Sequence, residues 1–154
     1  MKWFTAFILV FASTMAFADG GRLSVPANPK WKTECGSCHI AYPPQLLTGE
    51  NWQRLMGGLD KHFGANAALD ANENKEILGF LQQYAGSGDK RSAASLRVSD
   101  TPWFTREHRK VSNKIWTEVK SRSNCTACHV NAERGDWSER GIRMPGGQRW
   151  DDDD

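Results

Sequence analysis

Two pentapeptides in this 154-residue chain carry covalent chemistry: Cys35-Gly36-Ser37-Cys38-His39 and Cys125-Thr126-Ala127-Cys128-His129. Each has the C-x-x-C-H form in which two thiols make thioethers to the vinyl groups of one haem and the adjacent histidine reaches the iron. The two motifs consume all four cysteines, so no thiol is left for a disulfide framework. A zinc site is the competing reading of paired C-x-x-C sequences. Here, however, 86 residues lie between Cys38 and Cys125, where such sites use about 15 to 20. A thioredoxin-like dithiol would need βαβ alternation, which surrounds neither motif. Neither alternative explains a histidine directly after each second cysteine. The motifs imply two covalently bound haems c, with Cys35, Cys38, Cys125 and Cys128 as thioether donors and His39 and His129 as iron ligands.

The chain has only four histidines, so His62 and His108 are the two outside the motifs. Two six-coordinate haems need four axial ligands, and four histidines fill them. His62 lies 23 residues after His39, and His108 lies 21 residues before His129. The simplest assignment joins His39 to His62 on one iron and His108 to His129 on the other, with crossed ligation left open. Methionine is the other common distal ligand. Met56 reads as core, whereas Met144, in the loop sequence Arg143-Met144-Pro145-Gly146-Gly147, is a competing thioether donor.

Residues 1–18 have the form of a secretory signal. Lys2 precedes an apolar run from Trp3 to Ala12, and Ala16-Phe17-Ala18 supplies a cleavage site after Ala18. The apolar run is too short to span a bilayer, which takes about 20 residues; left uncleaved, it would be a membrane anchor. Haem attachment by this motif takes place outside the cytoplasm, so export and haem chemistry point to the periplasm. The remaining 136 residues suit one domain or two small lobes, with two porphyrins supplying much of the core. The expectation is a first haem-binding half at 19–85, a linker at 86–99 rich in Gly and Ser, and a second half at 100–154 with an irregular tail.

Charge is uneven. Residues 19–90 carry 7 Lys or Arg against 8 Asp or Glu, whereas residues 91–150 carry 12 against 6. Arg106, Arg109, Lys110, Lys114 and Arg122 are candidate partners for haem propionates or members of a solvated face. An exported chain of near-neutral net charge without a binding motif is a poor nucleic-acid ligand, and no later segment is apolar enough for an integral membrane protein.

The elements that must position these groups read as all-α, with short helices and extensive loops around two haems. A short helix lies at the first motif, stopped by Pro43-Pro44. Trp52, Leu55, Met56, Leu59 and Phe63 recur at helical spacing, with His62 on that stripe and Gly64 as the stop. A third helix starts at Asp70, which forms a capping box with Glu73, and runs through Ile77, Leu78, Leu81 and Tyr84 to Gly86. Thr101-Pro102 opens a helical stretch to about Lys120, on which His108, Val111, Ile115 and Val119 share a face; Ser112 is where it can break. Trp137 and Trp150 are placed to tack the tail to the body.

The arrangement resembles the small dihaem cytochrome c family, bis-histidine electron carriers of proteobacteria. The resemblance rests on the two motifs, on Trp52-Gln53 to Met56-Gly57-Gly58-Leu59 with His62-Phe63-Gly64, and on Thr101-Pro102-Trp103-Phe104 to His108-Arg109-Lys110-Val111. It implies bis-histidine ligation, a low reduction potential and a redox partner protein, such as an oxygen-binding monohaem cytochrome c or a cytochrome b561-type membrane protein. An electron carrier rather than an enzyme is expected, because an iron with two imidazoles has no open position for a substrate. The alternative is a dihaem peroxidase or reductase with one open haem site, which would lack a spare ligand for one motif. A haem-based sensor would need an output domain for which the chain has no room.

Overall fold

Local capping chemistry starts each α-helix among the described residues. In the computed structural model, which describes residues 23, 26–88 and 94–150, five helices begin at a polar side chain that accepts a backbone N–H of the first turn. These are α1 (Pro29–Gly36), capped by Asn28; α2 (Gly49–Met56), capped by Thr48; α3 (Ala71–Gln83), capped by Asp70; α4 (Pro102–Glu107), capped by Thr101; and α5 (Asn113–Val119), capped by Ser112. Pro29 and Pro102 occupy the first helical position, where a missing N–H costs nothing. Among the described residues there are no strands, only isolated bridge pairings, so the fold is all-α.

One apolar cluster holds most of the chain together. Trp31 from α1, Trp52 and Met56 from α2, and Ile77 and Leu81 from α3 are buried with Leu47, Leu59, Val98 and Phe104. Polar side chains lock the seams. The Trp52 indole donates to the Pro44 carbonyl at 2.7 Å, and Asn74 of α3 donates to the Met56 carbonyl at 3.0 Å, closing the end of α2. The buried Asn51 amide donates to the Ser95 carbonyl at 2.6 Å. Val98 and Phe104 sit in the same cluster as α1 to α3, so residues 94–104 are packed onto the body. Beyond Phe104, only Val119 and Ala132 are buried apolar residues among those described.

Three expected boundaries move. The second helix stops at Met56, because the Gly57 and Gly58 amides turn back to Gln53 and Leu55 and the chain tightens into a 3-10 turn at Leu59–Lys61. Gly57-Gly58 is the operative stop, not Gly64. Hence His62 follows that turn rather than riding a helix, and Phe63 is 44% exposed instead of joining the core. The long stretch after Pro102 is two helices, broken between His108 and Ser112, and the Ser112 hydroxyl caps the second. The first helix ends at Gly36, well before Pro43, so its motif straddles a helix end. The tail is more ordered than irregular up to residue 150, with 3-10 turns at Ala132–Arg134 and Glu139–Gly141 and bridges His129 to Ile142 and Arg143 to Arg149. The signal sequence, residues 89–93 of the expected linker and the four terminal aspartates lie outside the described residues.

At the end of α3, the Gly86 amide donates to the Leu47 carbonyl at 2.9 Å, and a Cβ on Gly86 would overlap the Gln45 carbonyl oxygen. Backbone cannot yield as a flexible side chain can. Gly86→Ala is therefore expected to destabilise the protein by about 2 kcal/mol or more, read as a lower urea midpoint with an unchanged slope.

Candidate functional site

The fold brings the four histidines together in two pairs. His39 follows the helix end of α1 and His62 follows the Leu59–Lys61 turn; their ring centres are 6.2 Å apart with planes 28° from parallel. His108 is the C-cap of α4 and His129 follows the 3-10 turn Cys125–Ala127; these ring centres are 6.1 Å apart with planes 70° apart. Both separations exceed that of the true ring stack on Phe104, where the His108 centre lies at 4.0 Å. A metal–imidazole bond of about 2 Å, plus about 1 Å from nitrogen to ring centre, puts two trans imidazoles about 6 Å apart. Each pair thus has the spacing of two ligands facing one metal ion. No crossed pair of histidines makes a ring contact.

Within each pair, one imidazole is oriented by a backbone carbonyl. His39 Nδ1 is 2.8 Å from the Ile40 oxygen, and His108 Nδ1 is 2.9 Å from the Phe104 oxygen. An N–H at Nδ1 donating to a carbonyl leaves Nε2 as the free lone pair and makes it more basic. The roles are exchanged between the pairs: the motif histidine is the oriented one in the first, the partner histidine in the second. His129 Nδ1 is buried with no hydrogen-bond partner. Burial lowers the pKa of His62, His108 and His129, the last to about 4, with the facing histidine adding to the effect on His62 and His129. Burial thus keeps these rings in the neutral form that binds metal.

Aromatic side chains hold the rings in place. Tyr42 stacks on His39 with ring centres 4.8 Å apart. Phe63, beside His62 at 4.8 Å, has a positive φ of 51°, a conformation costing about 1 kcal/mol in a residue with a Cβ; Gly64 follows at φ 99°. The Arg97 guanidinium, 4.0 Å above the Phe63 ring, covers this turn. His108 is lined by Phe104 and by Trp116 at 5.9 Å, and Trp137 lies 5.3 Å from His129. A cleft of about 750 Å³ runs from Cys38 and His39 to Asp136 and Trp137.

No disulfide joins the four cysteines, and burial, which would push a thiol at Cys35 or Cys125 up to about 11 and raise one at Cys128, disfavours the thiolate there. A redox dithiol needs the opposite shift. Among the described residues, no cluster of three or more His, Cys, Asp or Glu could cage a bare metal ion. A macrocycle that fills four iron positions itself needs only the two imidazoles each pair offers.

The dihaem cytochrome c family matches residues 31–137. The chain belongs to that family. A dihaem cytochrome c from Rhodobacter sphaeroides is 42% identical, with 73% of this chain and 98% of that one covered and a TM-score of 0.66. The diheme cytochrome c of Shewanella baltica OS155 is 33% identical, with 82% and 100% covered and a TM-score of 0.71. Comparison with curated proteins finds no match. Membership makes the protein an electron-transfer haem protein with two haems c. No helix among the described residues is long and apolar enough to cross a membrane.

In this dihaem cytochrome c, the sequence reading did not name the supporting residues Tyr42 and Trp116, and it gave Phe63, Phe104 and Trp137 other places than beside the histidines. Tyr42 three residues after His39, and Phe104 four before His108, were available signals. The candidate propionate partners are exposed: Arg106 pairs with Glu107 at 3.0 Å, and Arg122 lies 4.9 Å over Trp116. Met144 stands in a turn in which its amide donates to the Gln148 carbonyl at 2.7 Å. Phe104 is the ring that joins the core to His108. Phe104→Ala is expected to cost about 3 kcal/mol, and Phe104→Leu less, as measured by thermal melting of the haem-loaded protein.

Proposed function

We propose that the protein is an exported, periplasmic carrier that moves single electrons through two bis-histidine haems c. Cys35 and Cys38 hold one haem with His39 and His62 on its iron; Cys125 and Cys128 hold the other with His108 and His129. The observation that supports this most strongly is the pair of ring separations, 6.2 and 6.1 Å, each formed by one motif histidine and one of the two remaining histidines.

When bound, each haem supplies an iron that cycles between ferric and ferrous. The chain's own residues set how it does so. Two imidazoles on each iron leave no position for oxygen, peroxide or nitrite, which favours a carrier over a peroxidase or reductase. The Ile40 and Phe104 carbonyls make His39 and His108 stronger donors, which stabilises ferric iron and lowers the potential. Half-burial of both sites and the stacked Tyr42 and Phe104 rings keep the ligands from moving between oxidation states, so reorganisation is small. His62 and His108 differ in support: one stands just before the positive-φ Phe63, the other against a core ring.

The wild-type protein should be low-spin in both oxidation states and should not bind carbon monoxide when reduced. His62→Ala should open the haem at Cys35 and Cys38 and raise its potential, leaving the other intact; His108→Ala should do the converse. A stoichiometric high-spin haem in the wild type favours the enzyme, and opening of the opposite haem favours crossed ligation.

The partner is a redox protein with an acidic face, such as an oxygen-binding monohaem cytochrome c or a cytochrome b561-type membrane protein. The support is the excess of cations in residues 91–150, of which Lys114 and Lys120 are exposed on and after α5. Opposite charge steers encounter, and exposed charges are screened over about 8 Å at physiological salt. Lys114→Gln with Lys120→Gln should slow bimolecular electron transfer several-fold at low salt and leave both potentials unmoved. Shifted potentials with unchanged salt dependence would place these cations at propionates instead.

A further inference from the structure

Tyr42 touches both haem sites. Its ring stacks on His39 with centres 4.8 Å apart and planes 22° from parallel. Its hydroxyl donates to the carbonyl of Ser123 at 3.1 Å, across 81 positions of sequence. Ser123 stands two residues before Cys125, and the Cys125 sulfur approaches the same carbonyl at 3.6 Å. Once Cys125 is a thioether its sulfur has no proton to donate, and the Ser123 carbonyl is left to Tyr42. A single half-buried side chain thus runs from the imidazole of one motif to the backbone carbonyl two residues before the first attachment cysteine of the other.

We propose that Tyr42 is the positioning residue that couples the two haems: its hydroxyl fixes the second motif against the first axial ligand, and its ring fills the gap through which the electron passes. The inference rests on the ligand assignment given above for His39 and Cys125. Electron tunnelling falls steeply with each gap between packed atoms, so a continuous chain of contacts from His39 through the phenol and the Ser123 carbonyl to the Cys125 segment outcompetes a path through solvent. One iron loses an electron as the other gains it, and Tyr42 is neither oxidised nor deprotonated. Trp137 is the other aromatic near both motifs. It contacts His129 but meets the first motif only across the cleft it shares with Cys38 and His39, so it makes one of the two contacts that Tyr42 makes.

The test is the intramolecular electron-transfer rate in the haem-loaded protein after rapid photoreduction, with each haem's spectrum and potential measured alongside. Tyr42→Phe keeps the stack and removes the hydroxyl link, and should slow interhaem transfer several-fold while both haems stay low-spin. Tyr42→Leu removes the ring as well and should slow it further. A rate in Tyr42→Phe equal to wild type overturns the proposal, whether or not Tyr42→Leu loads both haems. A slowing in Trp137→Leu without one in Tyr42→Phe overturns it equally, in favour of the other ring. Failure of the underlying ligand assignment shows separately, as a high-spin haem in the wild-type protein before any variant is made.

Discussion

A haem iron that takes two axial imidazoles takes them along one line at a fixed, short bond length, and on the ligand assignment proposed above the fold of this dihaem cytochrome c is arranged around that requirement. Ring centres must be held about 6 Å apart by segments distant in sequence. The first pair meets it by breaking α2 early: Gly57-Gly58 ends the helix, a 3-10 turn follows, and His62 swings out opposite His39. The second meets it by ending α4 at His108, whose ring then lies on Phe104 and faces His129. Helix ends, rather than helix faces, present the proposed ligands.

The two sites draw their support unequally from the polypeptide. His39 and His62 sit beside the cluster built by α1, α2 and α3, with Trp31, Trp52, Ile77 and Leu81 buried in it. The second site borrows that core through Phe104 and Val98, and beyond Phe104 the described chain buries little apolar surface of its own. Its rings, Trp116 and Trp137, are half-buried side chains around a histidine pair. A porphyrin with a large apolar face therefore contributes a greater share of the order there. Basicity follows the same division: the oriented histidine belongs to the motif in one site and to the partner position in the other, which gives the two irons different environments from one simple design.

Much of this was legible in the sequence because it depends on residue identity. The cysteine pattern, the count of histidines, and the caps Asp70 and Thr101-Pro102 are local and unambiguous, and the third helix lies where its apolar spacing puts it. Periodicity misled where a glycine pair intervened. Leu59 and Phe63 continue the stripe of Trp52 and Met56 on paper, but Gly57-Gly58 offers no side chain to hold another helical turn, and Phe63 ends up in the left-handed region at the surface. The break after His108 was open in the sequence at Ser112, a good cap sitting within a helical pattern. Contacts such as Tyr42 to Ser123 join residues far apart in the chain, and no pattern along the sequence encodes them.

The ring angles provide the most direct test. Two imidazoles with nearly parallel planes act on the same iron d orbital and split the pair that perpendicular planes leave nearly degenerate. With planes 28° apart at His39 and His62 and 70° apart at His108 and His129, the oxidised protein should give two low-spin electron paramagnetic resonance signals of equal weight. One should be rhombic, and the other strongly axial with a large maximum g value. A high-spin ferric signal, or a low-spin haem with the near-infrared sulfur-to-iron band of methionine ligation, would contradict the two-pair assignment.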